Sequence, residues 1–134
     1  MDILAHLPHR APMLLVDRLL EREPGLRVVA EKLVTAGEPY LQGHPAGRAQ
    51  VPGPLLLEML AQAGGFLEAG TLHEASIFLA SVRDARFHAP AFPGDRLRLE
   101  VAAEGAFAGL MRLQGTVTCE GRDLCTATLL VKRL

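Results

Sequence analysis

The sequence predicts an α+β architecture in which a curved antiparallel sheet wraps one long apolar helix, within a single domain spanning residues 1–134. Three observations carry that expectation. From Leu55 to Leu67 every residue is Leu, Met, Ala, Gly or Phe except Glu58 and Gln62, a pattern apolar nearly all round that requires a buried helix. Several segments on either side of it alternate polar with apolar residues, most strictly Arg96-Leu97-Arg98-Leu99-Glu100-Val101, the signature of a sheet with one wet and one packed face. With a single long apolar helix available, the dry face of the sheet has one economical partner.

The elements follow in order. Asp2 to Leu7 reads as a short amphipathic helix ended by Pro8. Met13 to Glu21 and Leu26 to Val34 read as strands of a hairpin, separated by Glu23-Pro24-Gly25. Val51-Pro52-Gly53-Pro54 is a breaker cluster, and Pro54 suits a first helical turn because the N–H it lacks would have no intrahelical partner there. Beyond the helix, strands are expected over Ser76 to His88, Arg96 to Ala103, Leu110 to Cys119 and Leu124 to Lys132. Their breakers are Pro93-Gly94, Gly105 to Gly109, and a type II′ turn at Gly121-Arg122. No internal repeat, linker or low-complexity segment interrupts this series.

Composition narrows the function classes. The chain has 134 residues, 49% of them hydrophobic, enough for a real core in one domain. A net charge of -1 without a basic, aromatic-interleaved stripe argues against nucleic acid. Apolar runs are too short for a membrane span, and no charged segment precedes an apolar one at the start, so a cytoplasmic protein is expected. Cys119 and Cys125 lack Cys-x-x-Cys spacing and lie in strand-like sequence, which predicts reduced thiols. His6, His9, His73 and His88 are scattered without metal-ligand spacing, so no metal is expected. His9 reads as structural and the others as surface residues.

Two residues stand apart. Glu58 enters an apolar helix, where a carboxyl is costly unless paired or put to use, and Gln62 lies one turn later on the same face, within reach of it. His44 lies in the Gly/Pro-rich loop before the helix. Imidazole and carboxyl are the side chains best suited to exchange protons near neutral pH.

The run from His44 to Gln62 resembles the active-site stretch of the (3R)-3-hydroxyacyl-acyl carrier protein dehydratases, a hot-dog-fold family. Its pattern is His-Phe-Pro-Gly-Arg-Pro-x-Met-Pro-Gly-x-x-x-x-Glu-Ala-x-Ala-Gln. His44, Gly47, Arg48, Pro52, Gly53, Glu58, Ala61 and Gln62 fall in register without an insertion. Residues 7–18 look like the family's N-terminal signature, and residues 87–97 like its strand-turn-strand after the helix. Pro45-Ala46 replaces Phe-Pro, Ala49 replaces Pro, and Pro54 follows Gly53.

The resemblance implies dehydration of a (3R)-3-hydroxyacyl chain to the trans-2-enoyl product in fatty acid biosynthesis. His44 would be the base, Glu58 the acid and Gly53 N–H the donor to the thioester oxygen, with no cofactor required. Gln62, Phe87 and Phe92 are candidate substrate-binding residues, with core packing the alternative, and the favoured one, for the two phenylalanines. It also implies acyl carrier protein as partner, its phosphopantetheine arm entering between subunits, and a homodimer or a trimer of such dimers, with His44 of one subunit facing Glu58 of the other. Two other readings share the fold: a hydratase or thioesterase acting on coenzyme A thioesters, and a catalytically silent acyl-binding protein.

Overall fold

The computed structural model describes residues 14–42, 49–67 and 77–133. Within them one helix packs against a six-stranded, wholly antiparallel sheet, the hot-dog arrangement the sequence predicts. In chain order the elements are β1 (Arg18–Glu23), β2 (Arg27–Leu33), α1 (Gly53–Gly64), β3 (Ile77–Phe87), β4 (Arg96–Phe107), β5 (Leu110–Cys119) and β6 (Arg122–Arg133). The order across the sheet is β1-β2-β4-β5-β6-β3, so the strand that follows the helix lies at the far edge.

The alternation works as expected. Leu97, Leu99 and Val101 of β4, with Leu113 and Val117 of β5, are fully buried against the helix, and Arg96, Arg98 and Arg112 face outward. Helix and sheet approach closely because a glycine on each side receives a leucine from the other. A Cβ on Gly64 would lie 2.7 Å from Leu113 Cδ1, and one on Gly115 would lie 2.9 Å from Leu60 Cδ1. Either glycine replaced by a larger residue would push the layers apart.

Helix α1 begins where the breakers predict, with Pro52 as its N-cap and Pro54 in its first turn. It ends sooner than the apolar pattern suggests. Gly64 and Gly65 relax the chain into a 3-10 turn, Gly65–Leu67, which is pinned to the first hairpin by Gly25 N–H donating to Leu67 O at 2.8 Å and by Arg22 Nε donating to Phe66 O at 2.6 Å.

Three details correct the sequence reading. First, β1 starts at Arg18: residues 14–17 lie outside the ladder, held by Asp17 N–H donating to Glu31 O at 2.9 Å and by Leu33 N–H donating to Asp17 Oδ2 at 2.7 Å. Second, β4 continues through Gly105 by way of a bulge, so the breaker at 105–109 shrinks to Ala108-Gly109, and β6 starts two residues earlier than expected. Third, the β5–β6 turn is centred on Glu120-Gly121, both with positive φ (52° and 79°), and Cys119 pairs with Arg122. That is the type I′ geometry, not the type II′ turn at Gly121-Arg122. The twist of the strands favours it strongly enough to hold Glu120 in the left-handed region. Ala108-Gly109 repeats the geometry between β4 and β5, with φ of 52° and 81°.

The expected helix over residues 2–7, the N-terminal signature up to Met13, and His6, His9, His44 and His73 lie outside the described residues.

Candidate active site

Pro52, Gly53 and Pro54 place the helix start, and with it the first of the candidate residues. An α-helix leaves its first four N–H groups without intrahelical acceptors. Here two of those positions are prolines, and Leu55 gives its N–H to Pro52 O at 2.9 Å. Gly53 supplies the remaining N–H at the positive end of the helix dipole, suited to a developing negative charge.

Gly53 forms the wall of a cavity of about 510 Å³ together with Val51, Leu56, Phe87, His88 and Pro90. The Phe87 ring lies directly on Gly53: a Cβ there would come within 2.9 Å of the ring. Phe87 is 51% exposed, so it is a lid over the helix start and not a core residue. His88, expected at the surface, is exposed there and lines the same cavity, its Nε2 3.0 Å from Thr126 Oγ1.

Phe92 is 42% exposed and does not line this cavity. It opens the turn Phe92-Pro93-Gly94-Asp95, closed by Asp95 N–H donating to Phe92 O at 3.0 Å and by Phe92 N–H donating to Asp95 Oδ2 at 2.9 Å. Gly94, at φ 97°, supplies the left-handed angle that a type II turn needs after a proline.

Glu58 is not among the cavity-lining residues either. Five positions along a helix rotate it about 140° from Gly53. It projects from a stripe that also carries Leu57 and Ala61, all three only half-buried, whereas Leu56, Met59, Leu60 and Ala63 are buried against the sheet.

Gln62 is 1% exposed, and both ends of its amide are engaged. Its Nε2 donates to Glu58 Oε1 at 3.0 Å, as the one-turn spacing predicts, and its Oε1 accepts the N–H of Leu15 at 2.8 Å. A side chain so enclosed fits the task of orienting Glu58 better than that of touching a substrate. The structure therefore brings Glu58 and Gln62 together and, separately, Gly53 and Phe87. The Leu15 N–H is the component that sequence reasoning missed, because backbone groups leave no residue signature.

The surroundings of both thiols disfavour the thiolate. Burial pushes Cys125 up to about 11, and burial together with Asp95 raises Cys119. Both cysteines are free.

Comparison with known proteins agrees on the family. The FabA-like domain matches residues 7–128. A Roseiflexus sp. (strain RS-1) protein named 3-hydroxyacyl-[acyl-carrier-protein] dehydratase FabZ is 46% identical over 132 residues, 96% of this chain and 92% of that protein. Its namesake from Chloroflexus aggregans is 45% identical over 131 residues, 96% of this chain and 91% of the other. Among solved structures, the dehydratase heterocomplex ApeI:P from Xenorhabdus doucetiae superposes with a TM-score of 0.83 at 22% identity, covering 100% of this chain and 91% of that one.

Proposed function

The chain belongs to the 3-hydroxyacyl-[acyl-carrier-protein] dehydratase FabZ family and is a hydro-lyase of fatty acid biosynthesis; from that premise we propose that His44 and Glu58 perform the two proton transfers of its reaction. Dehydration breaks the C2–H and C3–O bonds of the 3-hydroxyacyl thioester, forms the C2=C3 double bond and releases water. A base must take the C2 proton, an acid must protonate the departing hydroxyl, and a donor must meet the charge that develops on the thioester oxygen. His44 is assigned as base, Glu58 as acid and Gly53 N–H as donor. The substrate enters as the (3R) isomer and leaves as the trans-2-enoyl chain.

The observation that carries this reading is the placement of Glu58: a carboxyl inside an apolar helix, on a face that the sheet leaves half-open, with its orientation set by Gln62. That face also supports a homodimer. Leu57 and Ala61 flank Glu58 and are only half-buried in one chain, so a second copy set against them would enclose both the apolar surface and the acid. Each site would then combine Glu58 of one subunit with His44 of the other. The acyl carrier's phosphopantetheine arm would enter beside Phe87. Among the described residues no helix is long and apolar enough to cross a membrane, which fits work in the cytoplasm on a carrier-bound substrate.

The test is direct. Incubation with 3-hydroxybutyryl thioesters of acyl carrier protein and of coenzyme A should give enoyl product, fastest from the carrier. Release of free thiol without enoyl product would make the protein a thioesterase. His44→Ala and Glu58→Gln should each be inactive, and mixing them under subunit exchange should restore activity, since a mixed dimer holds one intact site. Failure to complement, with exchange confirmed by mass spectrometry, would place both residues in one subunit.

A further inference from the structure

Gln62 does more than neighbour the acid. We propose that it is a positioning residue that fixes which oxygen of Glu58 carries the transferable proton, an inference that rests on the assignment of Glu58 as the acid. The argument starts from an amide whose two ends are chemically opposite. Oxygen accepts, nitrogen donates, and a half-turn about the last torsion exchanges them.

In this protein that exchange is blocked. Gln62 Oε1 accepts the Leu15 N–H at 2.8 Å, while Nε2 meets Glu58 Oε1 at 3.0 Å. A flipped amide would set N–H against N–H at one end and oxygen against carboxyl oxygen at the other. With the side chain 1% exposed, no water would replace either lost bond.

The orientation of the amide dictates the chemistry of the carboxyl. An oxygen that receives an N–H is the carbonyl-type oxygen of a neutral acid, so Glu58 Oε1 takes that role and the proton resides on Oε2. The acid therefore presents its proton in one direction only.

The reference point for this relay is a backbone group 47 residues away in sequence, on the 14–17 segment that leaves the sheet ladder. That segment is anchored by Leu15 and Val16, buried in the core, and by the Asp17 bonds to β2. Its departure from the ladder acquires a purpose: it carries an N–H to the helix. The geometry of proton delivery thus depends on how the N-terminal segment docks.

The experiment compares Gln62→Met with Gln62→Glu in the full-length protein, using a carrier-bound 3-hydroxyacyl substrate. Methionine keeps the volume and removes both hydrogen bonds, so kcat should fall on the order of 10²-fold, as expected for a misplaced proton donor, with little change in KM. Glutamate keeps the acceptor for Leu15 N–H, and only in its protonated form can it donate to Glu58. Its activity relative to wild type should therefore be highest at low pH and decline by about tenfold per unit once the shared proton is lost. A role confined to packing or stability predicts no such pH-dependent ratio.

Near-normal kcat in Gln62→Met, or a Gln62→Glu to wild-type ratio flat across pH, would overturn the proposal. Should Gln62→Met fail to fold by circular dichroism, the pH profile of Gln62→Glu decides alone. Glu58→Gln is the control for the underlying assignment. Full activity there would remove both readings, whereas an inactive Glu58→Gln beside a normal Gln62→Met would remove this one only.

Discussion

Glu58 and Glu38 are both carboxyls drawn inside the protein, and they are held in different ways. Glu38 opens the 3-10 turn Pro39–Leu41 and pairs with Lys32 of β2, Nζ to Oε1 at 2.8 Å, with side-chain exposures of 6% for the lysine and 13% for the glutamate. Asp17 adds a second carboxylate 3.5 Å from the same ammonium. Burial, and after it those two carboxylates, raise the neighbouring Tyr40 phenol well above its ordinary range, keeping it neutral there. Glu58, by contrast, receives a neutral amide. An ammonium stabilises only the charged form of a carboxyl, whereas an amide N–H is compatible with the protonated form as well. One carboxyl is paired with a cation, and the other, proposed here as the acid, receives the amide N–H of Gln62.

The largest expected effect separates the two. Glu58→Gln should cost about 10²–10⁴-fold in kcat while leaving the thermal midpoint unchanged or slightly raised, since it retains the shape and removes a costly carboxyl. Glu38→Gln should do the reverse, leaving Lys32 with an amide and the longer contact to Asp17 at 3.5 Å and destabilising the fold by about 1–3 kcal/mol, with kcat per folded molecule retained. Paired urea unfolding and initial-rate measurements check both. A Glu38→Gln protein that is stable but inactive would erase the distinction.

How much of this was legible in the sequence follows from where each signal resides. The Pro52-Gly53-Pro54 cluster marked the helix start because proline and glycine act through local backbone angles. The spacing of Glu58 and Gln62 foretold their hydrogen bond because one helical turn is a fixed distance. The bounds of β5, Leu110 to Cys119, emerged intact for the same local reason: alternation between two tight turns. The reading failed wherever the outcome depended on distant partners. Strand β4 runs through Gly105 because β5 continues to pair with it across a bulge. The I′ turn at Glu120-Gly121 reflects sheet twist overriding the local cost of a left-handed glutamate. Neither the Lys32–Glu38 pair nor the Leu15 N–H on Gln62 has a local pattern to betray it. Of the proposed pair, Glu58 can be described structurally; His44 lies outside the described residues.

A second, smaller effect sharpens the contrast by removing the ion pair altogether. Lys32→Met combined with Glu38→Leu replaces two desolvated charges with apolar groups of similar size, and such exchanges are commonly neutral or stabilising. The double variant should therefore recover most of the stability lost in Glu38→Gln and unfold within about 1–2 kcal/mol of wild type. Stability as poor as that of the single variant would show that this pair also anchors the 35–42 segment through its charges. The corresponding exchange of Glu58 and Gln62 for Leu and Met should bring no such recovery in activity if, as proposed, those polar groups serve the reaction.

The smallest effect concerns Pro54, the residue that follows Gly53 at the helix start. With Pro52 and Pro54 both lacking N–H and Leu55 N–H bonded to Pro52 O, Gly53 N–H is the helix-start donor left for the role proposed here at the thioester oxygen. Pro54→Val restores one N–H at the positive end of the helix, at a modest cost in helix initiation. Removal of a well-aimed oxyanion donor costs about 10²–10³-fold elsewhere, but an added donor has not been aimed by the surrounding structure, so a gain of roughly severalfold is the expectation. It should appear in kcat with KM little changed, because the charge it meets develops in the transition state. Stopped-flow detection of the enoyl product separates the chemical step from product release. A folded Pro54→Val protein with unchanged or lower kcat would mean that the N–H at position 54 points away from the thioester. Proline would then serve only to start the helix, and the difference between Glu58 and Glu38 would rest on the acid's own surroundings.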